Sequence, residues 1–196
     1  MAHAVDVITE LTADHREMDE TFDILEQAVP AAERQTAAER LTIELVRHTV
    51  AEEEHLYPTL REVLPDGDLI ADREIADHAR MEKILKDLEG LDADGPHFDR
   101  LVAALRAEVT AHVWDEEENL FPRLRETCAQ EALERMGESV RRAKLRAPRS
   151  PATPPVSAPG MGLVDHARDL VTDRAGTTGK GPANSPHPPR SYHHSA

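Results

Sequence analysis

A single cysteine, Cys128, stands in 196 residues. One thiol closes no intrachain disulfide and builds no thiolate metal site, so we read it as a small helix-end residue. Positive charge is also scarce, with 23 Lys+Arg against 38 Asp+Glu and a formal net charge of −15. The imbalance is local: residues 129–196 hold 10 Lys+Arg against 6 Asp+Glu, which leaves 13 against 32, a formal −19, in residues 1–128. A body that acidic repels a phosphate backbone. The basic tail has no aromatic residues interleaved with its charges, so nucleic acid is not an expected partner. No apolar run approaches the roughly 18 residues of a membrane span, and the start lacks the basic and apolar stretches of a signal peptide. The expectation is a cytoplasmic protein without a membrane partner. Period-two alternation of β-branched residues is missing too, which excludes a sheet.

What the sequence does have is helical periodicity. Ile8, Leu11, His15, Met18, Phe22 and Leu25 recur at steps of three and four, the spacing of a bundle seam. The same pattern predicts helices over Val5–Val29, Glu33–Leu64, Leu69–Glu89 and His97–Thr127, with a shorter capping helix over Gln130–Arg146. Pro58 and Pro122 fall inside the second and fourth and should kink or redirect them. Four long amphipathic helices with short loops imply an all-α, antiparallel up-down-up-down four-helix bundle over residues 1–146. From Ala147 onward the composition changes: nine of the 14 prolines lie there, as expected of a disordered tail. One island, Gly162–Arg174, keeps helical spacing and suits a short helix that docks on the bundle or on a protein partner.

The pattern is also repeated. A shift of 63 lays Asp14, His15 and Met18 on Asp77, His78 and Met81, and a shift of 64 lays His48, Glu52 and Pro58 on His112, Glu116 and Pro122. The one-residue difference falls where a loop absorbs it. Each copy places a histidine and a glutamate four apart on one helix face. His15, His48, Glu52, His78, His112 and Glu116 occupy seam positions that packing alone would fill with apolar side chains. Antiparallel packing brings all six to one level. Buried carboxylates without partners cost several kcal/mol each, and dications would neutralise them. Mixed imidazole and carboxylate donors from four helices suit a pair of iron or manganese ions.

Beside this site, Glu82 and Asp19 follow His78 and His15 by four, and His55 follows His48 by seven; these three are candidates for an extra ligand or for orienting a ligand. Glu53, Glu54, Glu117 and Glu118 read as solvated acids. Tyr57 and Phe121 read as packing at the bundle end, and Trp114 as packing against the capping helix.

The series His15, His48-xxx-Glu52, His78, His112-xxx-Glu116, with EEEHLYP at 52–58 and EEENLFP at 116–122, resembles the hemerythrin-like HHE cation-binding proteins. The resemblance covers residues 5–126; more weakly, LVDHARDLVTDRAG in the tail resembles the ends of actinobacterial members. It implies two iron ions (Fe2+/Fe3+), oxo- or hydroxo-bridged, with Glu52 and Glu116 bridging and the histidines terminal. Oxygen-carrying hemerythrins have a fifth histidine where this chain has Glu82. Counting the implied ligands against about 12 octahedral positions leaves about two open. This points away from reversible O2 carriage and toward a small-molecule ligand such as O2, peroxide or NO. Peroxidase, catalase-like or ferroxidase-like turnover is one form this takes. An iron or oxygen sensor signalling through its tail and an iron donor for cluster repair are the alternatives.

Overall fold

The computed structural model describes residues 5–27, 29–145 and 161–172. Eight α-helices and one π-helical turn fill them, with no strand among the described residues. The bundle is built from α1 (Val7–Glu26), α2 (Ala31–His55) continued by α3 (Tyr57–Val63), α4 (Gly67–Leu88), and α5 (Pro96–Asp115), continued through a π turn (Glu116–Leu120) into α6 (Phe121–Thr127). The helices end where local chemistry requires. The Asp6 carboxylate accepts the Thr9 N–H at 2.8 Å and caps α1. Arg34 reaches from α2 to the Leu25 and Ala93 carbonyls, tying the end of α1 to the loop between α4 and α5.

The two internal prolines act as expected, but differently. Neither can donate to the carbonyl four residues back, and each ring crowds that carbonyl. After α2 the chain breaks at Leu56 and restarts with Pro58 in the first turn of α3. After α5 it instead widens into the π turn, where the Phe121 N–H donates to the Glu116 carbonyl. Such turns concentrate at functional sites, and this one begins at a seam glutamate.

The core holds Leu11, Met18, Phe22, Leu25, Leu41, Leu45, Leu60, Met81, Leu85, Phe98 and Leu105. Each such side chain contributes about 1.5–3 kcal/mol by leaving water. Two further helices wrap this bundle. α7 (Gln130–Lys144) packs across α1 and α2, and α8 (Leu163–Val171) packs across α2 and α4. As a result α2 is buried on nearly every side, continuously from Leu45 to Glu52, whereas α5 buries a single stripe. The approach of α7 is close: a Cβ at Gly137 would overlap the Val5 carbonyl.

The described part of the island forms helix α8, docked on its own bundle and burying Val164, Ala167 and Val171. Residues 147–160 and 173–196, where a disordered segment was expected, lie outside the described residues. Trp114 is a correction: it is 61% exposed, because α7 covers α1 and α2 while Trp114 sits on α5. No helix of the described residues is long and apolar enough to cross a membrane.

Candidate metal centre

The histidines come in two facing pairs. His15 of α1 and His48 of α2 have ring centroids 4.9 Å apart, and His78 of α4 and His112 of α5 match them at 4.9 Å. The two glutamates lie between the pairs. Glu52 is 3.3 Å from His48 Nε2 through one oxygen and 3.3 Å from His78 Nε2 through the other. One Glu116 oxygen lies 3.3 Å from His15 Nε2 and 3.6 Å from His112 Nε2. Each carboxylate thus spans both pairs. All six side chains are buried. His15, His48, Glu52 and Glu116 offer one set of donor atoms within 4.8 Å of one another, and Glu52, His78 and His112 offer a second.

The outward nitrogens are held as well. Each Nδ1 meets a carboxylate: Glu117 for His15 at 2.8 Å, Asp14 for His48 at 3.2 Å, Glu53 for His78 at 3.0 Å and Glu74 for His112 at 2.8 Å. The second oxygen of each carboxylate meets a cation. Arg16 holds Glu117 at 2.8 Å and Arg73 holds Glu74 at 2.8 Å. Lys144 holds Asp14, and Arg168 lies 3.6 Å from Glu53. A histidine that gives its Nδ1–H to a carboxylate presents the Nε2 lone pair to the opposite side, the arrangement that orients imidazole toward a metal.

The accessory residues predicted from sequence, Asp19, Glu82 and His55, lie outside the centre. Asp19 has a side chain 65% exposed and pairs with Arg106; Glu82 pairs with Lys86 and Arg168; His55 ends α2, its ring 3.8 Å from Glu54. None belongs to the donor sets. The spacing rule fails for Glu82 because α8 brings Arg168 to it at the bundle surface. The acid that α4 does supply is Glu74, four residues before His78, fully buried and within 4.8 Å of His112 and Glu116 donor atoms. Glu53 and Glu117, read as surface acids, grip histidines. The signal was available, since the shift of 64 superposes them. Tyr57 is a further correction. Its hydroxyl lies 3.1 Å from His78 Nε2 and 3.4 Å from Glu52, inside the centre. Its repeat counterpart Phe121 stacks on His15 at 6.0 Å.

The electrostatics show an arrangement short of positive charge. Burial and the facing Glu116 hold the Glu52 carboxyl well above the usual carboxylate range. Burial acts on Glu116 in the same direction, but His112 and His15 outweigh it and hold Glu116 low. Burial pushes His48 down to about 4 against the pull of Asp14. His15 and His112 go up despite burial, drawn by Glu116. Two facing carboxylates in a dry core do not both ionise without added cations. The lone pairs tell the same story: His15 Nε2, His48 Nε2, Glu52 Oε1 and both Glu116 oxygens are buried without a hydrogen-bond partner. Nitrogen and oxygen donors, converging and unsatisfied, fit metal ions.

The comparisons with known proteins agree with this geometry. The chain is 29% identical over 134 residues to a DNA nickase from Nostoc sp., a match that covers 68% of this chain and 37% of that protein. This chain therefore aligns with little more than a third of that relative's length. Among solved structures, a hemerythrin HHE cation binding domain-containing protein, the Rv2633c homolog from Mycobacterium kansasii, superposes with a TM-score of 0.63 at 20% identity, covering 90% of this chain and 95% of that one. At that identity the likeness establishes the fold. The sequence profile of the hemerythrin HHE cation binding domain matches residues 6–146, the whole bundle with its wrapping helix α7, and the chain belongs to that metal-binding family.

Proposed function

We propose that this protein is a non-haem di-iron protein whose centre binds, or reacts with, a small oxygen or nitrogen species. The observation that carries the reading is the pair of glutamates, each spanning both histidine pairs, with their lone pairs and those of His15 and His48 left unsatisfied. His15 and His48 would hold one ion, His78 and His112 the other, and Glu52 and Glu116 would join them. Bound there, the ions would supply Lewis-acid and redox chemistry. The chain's own residues do the rest. Four carboxylates fix the imidazole rings, and the Tyr57 hydroxyl is placed to donate a hydrogen bond at the His78 side of the centre. Phe121 and the core exclude water. Glu82, engaged by Lys86 and Arg168, does not take the place of a fifth histidine. This supports reaction over simple O2 carriage.

The DNA nicking named for the Nostoc relative does not suit this chain, whose body carries a formal −19 over residues 1–128. A sensor reading has one observation in its favour: Arg168 of the wrapping helix α8 reaches Glu53, which holds His78. The test for the preferred reading is metal analysis with an optical spectrum of the air-purified protein, with and without azide or peroxide. About two irons per chain and charge-transfer bands that shift with the anion are expected. Iron-free protein, or one zinc without such bands, would overturn it.

A further inference from the structure

We infer that Arg168 of α8 is a positioning residue for the metal centre, acting through Glu53 on His78. The inference rests on the metal reading above and extends it to a helix outside the residues matched by the family, 6–146. Each histidine heads a chain of the form imidazole, carboxylate, cation. Two of the closing cations, Arg16 and Arg73, come from the bundle helices α1 and α4. The other two come from the wrapping helices: Lys144 from α7 and Arg168 from α8. Without α8, the His78 chain alone would end at its carboxylate, Glu53.

The seat of α8 is specific. The Glu89 carboxylate accepts the Val164 N–H at 2.9 Å, Lys86 pairs with Asp165 at 2.8 Å, and Arg168 pairs with Glu82 as well as Glu53. Val164, Ala167 and Val171 are buried beneath them. With Arg168 in place, one Glu53 oxygen faces the guanidinium at 3.6 Å, and the other is aimed at His78 Nδ1 at 3.0 Å. The His78 ring is thereby fixed with Nε2 facing Glu52. Linkage makes the tie reciprocal: a metal that requires the oriented His78 also favours the docked α8.

The experiment uses the full chain with 15N-labelled histidine and reads the ring nitrogens of the metal-free protein by NMR. Arg168→Gln should move the His78 signals and leave those of His15 in place, Arg168→Lys should restore them, and Lys83→Gln, which removes an exposed α4 cation paired with Asp87 and away from α8, should not move them. Iron affinity, measured by chelator competition, should fall about tenfold in Arg168→Gln, the lower end of effects for groups that orient ligands. Iron loading of the wild type should slow hydrogen exchange across residues 163–171. His78 signals unmoved by Arg168→Gln, or moved equally by Lys83→Gln, would overturn the inference whatever the iron result. A wild type that takes up no iron but shows the Arg168-dependent His78 shift would sink the metal reading and keep the tie.

Discussion

Glu52→Gln should shift stability in opposite directions with and without metal. In the metal-free protein Glu52 is fully buried, faces Glu116, and has an oxygen with no hydrogen-bond partner. Burial and Glu116 raise its folded pKa above that of the unfolded chain. A raised carboxyl pKa contributes stability only below the unfolded value and removes it as pH rises toward the folded one. At pH 7 the native acid is therefore a net cost. Glutamine keeps the shape and cannot ionise. Replacing buried charge by a neutral group of similar size is neutral to stabilising by about 1–4 kcal/mol, or about 2–4 °C in Tm for each kcal/mol in a chain of this size. With iron the order reverses. A ligand at about 100 times its Kd adds about 2.7 kcal/mol to the wild type. A variant whose Kd has risen a hundredfold gains only about 0.4 kcal/mol at the same concentration. Calorimetry of both proteins, stripped with chelator and then reloaded, measures all four melting temperatures. If the stripped variant melts well below the stripped wild type, Glu52 acts as a structural hydrogen-bonding group and the reasoning fails. If iron raises both by equal amounts, Glu52 is not a ligand.

Glu74→Gln should weaken iron binding about 10–100-fold, as expected for a group orienting a histidine, while Glu82→Gln leaves it within about threefold; chelator competition on both variants compares the two acids of α4 directly. Tyr57→Phe copies the repeat counterpart Phe121, so the fold should survive with a loss of about 0.5–1.5 kcal/mol, but the optical spectrum and azide affinity of the iron-loaded protein should change. An unaltered spectrum would return Tyr57 to a packing role. Gly137→Ala should lower stability by about 1–3 kcal/mol through overpacking against the Val5 carbonyl, read as a reduced midpoint in urea with unchanged iron stoichiometry.

The bundle and the inward groups were legible because each follows from one local rule. His48 and Glu52 are four apart, so they share a face, and the repeat carries the same statement to His112 and Glu116. The outward groups were not, because they depend on relations between helices. Glu117 grips His15 from a helix about a hundred residues away, and no spacing within α1 points to it. The same holds for Asp14, which reaches His48 across the α1–α2 contact. Glu82 was chosen for being at i+4 from His78, yet Glu74 at i−4 is the buried one. The two lie about 40° to either side of His78 on a helical wheel. What separates them is depth along the bundle and the arrival of α8 at the Glu82 end, neither of which periodicity encodes. Tyr57 belongs with the outward groups for a related reason: its hydroxyl meets His78 on α4, a contact between helices that no spacing within its own segment points to.

The repeat also shows where chemistry rather than folding set the sequence. The six inward donors obey the internal symmetry, and so do Glu53 and Glu117, each gripping a histidine of the opposite copy. Symmetry fails at three places around them. Tyr57 stands against Phe121, so only the His78 side has a hydroxyl. Glu74 stands against Leu11, so only that side has an extra buried acid. Asp14 orients His48, whereas its counterpart Asp77 pairs with Arg80 at the surface. Two symmetric ion positions would be chemically alike. Here the His15–His48 pair lies under Phe121 with no hydroxyl partner, and the His78–His112 pair is flanked by Tyr57 and Glu74. An incoming molecule that needs a hydrogen-bond donor or a proton would find both only at the His78 and His112 side. That asymmetry predicts unequal sites: under limiting iron, one ion should bind ahead of the other, and Tyr57→Phe together with Glu74→Gln should bring the two affinities together. Two indistinguishable binding steps in the wild type would refute it.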